Sequence, residues 1–283
     1  MKILLTGHKG QLGRTLLPLL EATHTVLGID LPEHDISDHA QLYALVQDFS
    51  PDLIINVAAM TNVDGCTHDP QAAYRANGMG PQNIALAAAA VQAEVLHVST
   101  NEVFDGTATV PYDEWCIRNP INAYGRSKLA GEWYIEHLLS RFYIVRTAWL
   151  YAAGGRNFPH RMIELADAHG KLRVVTDEVS NPTYVDDLAA AIIHLMSTHA
   201  YGIYHFVNAG ATSRYEFAQE ILKLSGRANI PIAPITSAEF QRASTPPLYA
   251  PLANNAGQAL GITLRPWPVA LAEFLRKTGY MKS

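Results

Sequence analysis

Short runs of apolar and β-branched residues alternate along this chain with longer stretches whose apolar positions recur at helical spacing. The runs Lys2–Thr6, Thr25–Ile29, Asp52–Val57, Glu94–Val98, Phe142–Arg146, Leu172–Thr176 and Ile203–Val207 predict strands. The segments Gln11–Ala22, Ala40–Phe49, Ala72–Val91, Ala123–Leu139 and Val185–Thr198 have the length and periodicity of helices. Strand and helix in alternation predict an α/β fold built on a doubly wound parallel sheet. Runs such as Leu53–Ala59 show no polar alternation, as strands covered on both faces do not.

After Trp149 the pattern loosens, with Gly154-Gly155, Pro159 and a proline-rich stretch from Pro231 to Pro251. No internal repeat, low-complexity tract or long linker separates this part from the rest, so a smaller unit made of excursions out of the sheet is expected. The 283 residues suffice for one large or two modest domains, and 48% hydrophobic against 17% charged residues give ample core. The formal charge of −5, from 21 Lys+Arg and 26 Asp+Glu, lacks the basic field that holds nucleic acid. The longest apolar stretch, Ile84–Leu96, is broken by Gln92 and Glu94 and falls short of the ~20 residues of a membrane span. The opening MKILLTGHKG is too short for a signal-peptide core, and Cys66 and Cys116 have neither metal-ligand nor redox spacing. A cytoplasmic protein with no metal, no nucleic-acid partner and no membrane contact is expected.

The first strand runs straight into Thr6-Gly7-His8-Lys9-Gly10-Gln11-Leu12-Gly13, a G-x-x-G-x-x-G turn that opens a helix. Glycines there allow a tight turn, let backbone approach a pyrophosphate, and bring helix against strand, while the helix N-terminus offers unpaired N–H groups. Gly7, Lys9, Gly10, Gln11, Leu12 and Gly13 are therefore candidate cofactor residues. Asp30, ending the second strand, is placed to accept from the adenosine ribose hydroxyls, which favours NAD. Lys9 pulls the other way, since its ammonium suits a 2′-phosphate, and NADH and NADPH both stay open. Asp35-Ile36 can approach the adenine, and Asp35 can as easily cap the helix that follows.

The fourth strand leads into Ser99-Thr100-Asn101, which puts hydroxyls at the carboxyl edge of the sheet, where open α/β folds bind ligands. Further on, Tyr124-Gly125-Arg126-Ser127-Lys128 sets a phenol and an ammonium at i and i+4, on one helix face. A nearby ammonium favours phenolate and brings a phenol with pKa ~10 toward the working range of a proton donor. Thr100, Tyr124 and Lys128 form the candidate catalytic set.

The order of these parts resembles the extended short-chain dehydrogenase/reductase family, and within it the dTDP-4-dehydrorhamnose reductases. The resemblance spans nearly the whole chain: TGHKGQLG at 6–13, DISD at 35–38, INVAAMTNVD at 55–64, NGMGPQNIA at 77–85, STNEVFDG at 99–106 and PINAYGRSKLAGE at 120–132. It continues through VRTAWLYAAGGRNF at 145–158, VVTDEVSNPTYVDDLA at 174–189 and YHFVNAGATSRYEFA at 204–218. It implies a Rossmann-type dinucleotide-binding domain of residues 1–149, 174–208 and about 242–256, with a discontinuous substrate-binding domain of 150–173, 209–241 and 257–283. It implies NADH or NADPH as cofactor and reduction of the 4-keto group of a nucleotide-linked 6-deoxy sugar. In that reaction Tyr124 would donate a proton, Lys128 would lower the Tyr124 pKa and bind the nicotinamide ribose, and Thr100 would orient the substrate oxygen. Ala58, Ala59, Asn77 and Ser99 would lie near the cofactor. Thr61, Val63, Asn101, Glu102, Trp149, Asn157 and Phe158 would lie near the substrate. For Ala58-Ala59 the end of a buried strand, and for Trp149 and Phe158 a place in the core, are equally open readings. By the same analogy, helices beside the Tyr/Lys segment would join two copies in a homodimer.

The chain departs from that pattern in several places. The reductases usually read Ser-Thr-Asp-Tyr where this chain has Ser99-Thr100-Asn101-Glu102, and the related 4,6-dehydratases carry Thr-Asp-Glu. Glu102 matches the dehydratases, but an asparagine is no acid to protonate a leaving hydroxyl. Glu178 stands for a usual glutamine and Arg214 for a usual tryptophan. Ser244-Thr245-Pro246-Pro247 replaces an Arg-Pro whose guanidinium holds the diphosphate, and Arg242 is the nearby substitute. Two other readings compete: a non-catalytic NAD(P)-binding subunit of a partner enzyme, and an epimerase or dehydratase of the same superfamily.

Overall fold

The computed structural model describes residues 1–155 and 157–281. Arg156, inside the VRTAWLYAAGGRNF motif, and Lys282 and Ser283, at the end of the expected 257–283 segment, lie outside the described residues. The first half runs β1 (Lys2–Thr6), α1 (Gln11–Glu21), β2 (Thr25–Ile29), α2 (His39–Phe49), β3 (Leu53–Asn56), α3 (Val63–His68), α4 (Pro70–Tyr74), α5 (Gly80–Val91) and β4 (Glu94–Thr100). It continues with α6 (Ala123–Leu138), β5 (Phe142–Thr147), β6 (Leu150–Tyr151), α7 (Phe158–His169), β7 (Leu172–Val175), β8 (Val179–Ser180) and β9 (Thr183–Tyr184). The chain ends with α8 (Val185–Met196), β10 (Gly202–His205), β11 (Thr212–Ser213), α9 (Arg214–Leu224), β12 (Ile232–Ile235), α10 (Asn255–Ala259) and α11 (Trp267–Lys277).

Six of the seven expected strands form one parallel sheet in the order β10-β5-β4-β3-β1-β2. Successive side chains along a strand point to opposite faces, and neighbours in sequence accordingly divide between two cores. Leu5, Ile55 and Val145 face α1 and α8 with Leu16, Leu188 and Ile192. Leu4, Ile54 and Ile144 face α2, α5 and α6 with Val46, Ile84 and Ile135. This is the doubly wound arrangement that the unbroken apolar runs predict.

The seventh strand behaves differently. β7 pairs in parallel with β12, away from the sheet, and Val174 joins a separate core with Tyr151, Ile163, Phe217, Ile221, Leu271 and Phe274. The helices α7, α9 and α11, which the looser pattern after Trp149 conceals, supply most of that core.

The single helix expected over Ala72–Val91 is a continuous helical run from α4 to α5 with a π-helical turn, Arg75–Met79, inside it. The widened turn carries Asn77, whose Oδ1 accepts from Met60 N (2.8 Å) and whose Nδ2 donates to Met60 O (3.0 Å) and Ser127 Oγ (3.0 Å). The loop after β3 is thereby tied to α6.

The start of α6 is fixed by Asn122, whose Oδ1 accepts from Gly125 N at 2.8 Å. Gly125 permits very close packing there: a Cβ on it would lie 2.1 Å from the Glu102 carbonyl oxygen. No helix among the described residues is long and apolar enough to cross a membrane.

A buried ion pair joins α6 to β5. Arg146 donates from Nε to Glu132 Oε1 (2.9 Å) and from Nη2 to Oε2 (2.8 Å), with both side chains almost completely buried. Replacing Arg146 by Ala removes the carboxylate's bidentate partner and leaves it the half-buried Arg118, at 3.0 Å, as its remaining ion-pair partner among the described residues. Urea denaturation should show a loss of about 3–5 kcal/mol. A loss below ~1 kcal/mol would show that this pair behaves like a solvated one.

Candidate active site

The turn between β1 and α1 is shaped by what it lacks. Gly7 has φ +75°, and a Cβ on Gly13 would lie 2.2 Å from the Gly7 carbonyl oxygen. Gly10 caps α1 without a side-chain acceptor, so the first-turn amides face outward for an anion. Beside the turn is a cavity of about 660 Å³, bordered by Lys9, Asp30, Asp35, Ile36 and Ala58. Asp30 accepts from Lys9 N and Leu31 N, each at 2.8 Å, so the carboxylate is fixed against the glycine turn. The Lys9 ammonium meets the Glu33 carboxylate (2.6 Å) and the Leu31 carbonyl (3.0 Å). Asp35 accepts from Ser37 N at 2.8 Å and does not cap α2; Asp38 does, accepting from Gln41 N at 3.0 Å.

A second cavity, of about 390 Å³, shares Gly7, Gly10 and Ala59 with the first and reaches the sheet edge. Gln11, Leu12 and Gly13 border it on one side and Thr61 and Val63 on another. Ser99, Thr100, Asn101, Glu102, Tyr124 and Lys128 complete it. β4 extends two residues beyond the expected Val98, so Ser99 and Thr100 end the strand itself. Thr147 also borders the cavity, and its Oγ1 is buried there without a hydrogen-bond partner among the described residues.

The electrostatics of the pair are set mainly by burial. Tyr124 is pushed well above the ordinary phenol value, first by burial and then by the Glu102 carboxylate, while a hydrogen bond with Thr100 pulls it back in part. Lys128 is not among the causes of that shift. Its Nζ donates to the Val98 carbonyl at 2.7 Å, and burial brings its own pKa down to about 8. The i,i+4 spacing places both groups at one cavity, but Lys128 is satisfied by the strand behind it. Glu102 is raised by burial, against the pull of the Asn122 Nδ2 hydrogen bond (2.7 Å).

The third cavity, about 950 Å³, continues from Trp149 and Leu150. Asn157, Phe158 and Arg242 line it as candidates, together with Arg161, Arg173 and Phe240. Trp149 stands at φ +43°, a rare conformation for an aromatic residue and one that concentrates at functional sites. The Arg214 guanidinium lies 3.5 Å over its ring and 5.0 Å from that of Phe158, so both aromatics belong to the cleft wall. Burial lowers Arg214 to about 10, still charged at neutral pH. Glu178 binds Arg242 and stands 3.9 Å from Arg214. Asn157 caps α7 and also donates to the Ala152 carbonyl at 2.7 Å.

Most expected residues therefore converge on one cleft, with two exceptions in role. Asn77 lies behind it, occupied by Met60 and Ser127. Asn101 borders it, but its Nδ2 is held by Ser180 Oγ (3.1 Å) and the Ala250 carbonyl (3.0 Å). Sequence reading passed over Arg75, Arg161, Arg173 and Phe240. Arg173 left a signal, as the one exposed position in the apolar run LRVV.

The sequence profile described as RmlD substrate binding domain matches residues 1–279. The chain is 38% identical to the spore coat polysaccharide biosynthesis protein SpsK of Bacillus subtilis (strain 168), over 98% of this chain and 97% of that protein. A crystal structure of a dTDP-4-dehydrorhamnose reductase from Clostridium acetobutylicum superposes with TM-score 0.95 at 38% identity, covering 99% of this chain and 100% of that one. A dTDP-4-dehydrorhamnose reductase from Bacillus anthracis, solved in complex with NADP, gives TM-score 0.93 at 36% identity and covers 98% and 99%.

Replacing Gly13 by Ala drives a methyl into the Gly7 carbonyl and forces the turn open. Calorimetric titration with NADPH should show affinity reduced at least tenfold, about 1.4 kcal/mol or more. Unchanged affinity would mean that the turn does not hold the dinucleotide.

Proposed function

Because the chain belongs to the RmlD substrate-binding-domain family, we propose that it is an NAD(P)H-dependent reductase acting on the 4-keto group of a nucleotide-linked 6-deoxy sugar. The observation that carries this reading is one continuous cleft. It joins an anion-binding glycine turn, a Tyr124/Thr100/Lys128 set and an arginine-lined cavity. The outward amides of α1, the room left by the glycines and the unpartnered Thr147 hydroxyl suit a dinucleotide along the first two cavities.

When bound, the reduced nicotinamide supplies hydride to the carbonyl carbon. Tyr124 is a neutral phenol at physiological pH, so it carries a proton for the carbonyl oxygen, although burial makes it a weaker acid than a free phenol. As the O–H bond breaks, the Thr100 hydroxyl stabilises the phenolate, the same contact that pulls the Tyr124 pKa down. Lys128 places a readily exchanged proton at the same cavity. Asp30 and Lys9 lie together at the adenosine end, which supports use of both NADH and NADPH. Arg242, with Arg173 and Arg161 further out, offers guanidinium groups for the diphosphate. A dehydratase reading finds no support at Asn101, whose amide is tied to Ser180 and Ala250.

The two-lobe division belongs to the same proposal, with Leu172–Val175 counted wholly in the substrate lobe because it pairs with Ile232–Ile235. A cytoplasmic location and a homodimer through helices beside the Tyr/Lys segment complete it.

Replacing Tyr124 by Phe should lower kcat by about 10²–10⁴-fold, read as NADPH oxidation with a dTDP-linked 4-keto-6-deoxy sugar, while NADPH binding stays within about threefold. Turnover that survives this change excludes the mechanism. Replacing Arg242 by Ala should raise KM for the keto sugar by about tenfold or more, with a smaller change in kcat. An unaltered KM would remove Arg242 from the phosphate contact.

A further inference from the structure

Directly behind Lys128, a row of buried polar side chains crosses the sheet, and the reaction outlined above makes no use of it. Thr6 on β1, Asn56 on β3 and His97 on β4 are register partners in adjacent strands and have no exposed surface. Thr6 Oγ1 donates to Asn56 Oδ1 at 2.6 Å. Asn56 Nδ2 lies 2.9 Å from His97 Nδ1, and His97 Nε2 lies 3.5 Å from Lys128 Nζ.

Donor and acceptor roles along this row are not free. The backbone N–H of Ala58 can only donate, and it lies 3.2 Å from Asn56 Oδ1. That contact fixes the amide with its NH₂ toward the imidazole, so His97 Nδ1 accepts. Burial and the charge of Lys128 hold the ring neutral, well below the usual histidine range. Its single proton is therefore on Nε2, aimed at the lysine nitrogen. An amine has a lone pair to receive that N–H, whereas an ammonium has none.

We propose that His97 is a positioning residue for Lys128: locked by Asn56 as the Nε2–H tautomer, it favours the amine over the ammonium and so readies Lys128 to return a proton to Tyr124 after each reduction. In that step an Nζ–H bond breaks, the phenol O–H bond reforms, and solvent restores the ammonium. The part concerning turnover rests on the reductase reading; the part concerning His97, Asn56 and Lys128 does not. The other ionisable groups at Lys128 are Glu132, one turn further along α6, which favours the charged form, and Tyr124, one turn before it at the same cavity. The Val98 carbonyl accepts from Nζ in either state.

The test uses the full chain without substrate, labelled with ¹⁵N in histidine and ¹³C in lysine. Long-range ¹H–¹⁵N spectra should show His97 protonated at Nε2 and bare at Nδ1 from pH 6 to 9, and the Lys128 ¹³Cε signal should titrate near pH 8. In His97→Phe the Lys128 midpoint should rise by about one pH unit, and the alkaline limb of kcat should move with it. A proton on Nδ1, a charged ring, or an unmoved Lys128 midpoint in the variant overturns the proposal. If the variant does not fold, the ring tautomer of the unaltered protein still decides. A shifted midpoint with an unmoved kcat limb overturns the turnover part alone. Failure of the reductase reading itself appears elsewhere, as turnover that survives Tyr124→Phe, and leaves these spectra unchanged.

Discussion

Lys128 is 2% exposed, and a lysine in that position has to satisfy its nitrogen from the protein or lose its charge. The Val98 carbonyl, at 2.7 Å, is the partner the fold provides, and much of the architecture around the cleft follows from reaching it. The helix must lie almost against the end of β4, which only a residue without a side chain permits at position 125. Its first turn must be fixed, and Asn122 does this while holding Glu102 with its other amide atom. The opposite flank is braced by Asn77 in its widened turn, bonded to Ser127 beside the lysine. Tyr124, one turn before Lys128, is carried to the sheet edge by the same packing.

That constraint also explains why the phenol and the lysine do not form a simple charge pair. An ammonium beside the phenol would stabilise phenolate and strengthen Tyr124 as an acid, the direction opposite to that of burial. In this protein burial dominates at both groups, keeping the phenol protonated and loosening the proton on the lysine. The Coulomb effect of Glu102 on Tyr124 has the same sign as burial. Thr100 then supplies a stabilising contact that grows in value as the phenolate forms.

Much of this was legible in the sequence, for reasons that also mark where legibility ended. Strands covered on two faces announce themselves as unbroken apolar runs, and six of them were placed in the sheet they form. Leu172–Val175 has the same apolar character, yet its partner is Ile232–Ile235, because a run records burial and not neighbours. The turn at Gly7–Gly13 and the Tyr124/Lys128 spacing were readable since both depend on local geometry. The bonds of Asn77 to Met60 and Ser127 could not be read, since one extra residue in a helical turn leaves no trace in periodicity. His97 looked like any inward position of a strand. Its place in the buried polar row comes from register with Thr6 and Asn56, which only the assembled sheet displays.

The departures near the diphosphate end become coherent when their partners are followed. Ser244 and Thr245, standing where an Arg-Pro is usual, spend their polar groups on the reaction end of the cleft. Ser244 donates from N (2.9 Å) and Oγ (2.5 Å) to Asp64, and the Thr245 carbonyl accepts from Asn122 at 3.1 Å. The segment is thus stitched to α3 and to the cap of α6, while the guanidinium moves two residues back to Arg242. At rest Arg242 is neutralised by Glu178, and a buried carboxylate deprived of its only cation would be costly. Arg214, at 3.9 Å from the other oxygen of Glu178, removes that obstacle. On the proposed reading a diphosphate takes Arg242 while Glu178 keeps Arg214 as its cation, so the glutamate and the two arginines act as a set. The loop that carries Arg242 also passes through Ser244 and Thr245 to Asp64 and Asn122. One short segment thus links the proposed phosphate contact to Asn122, which caps α6 and holds Glu102.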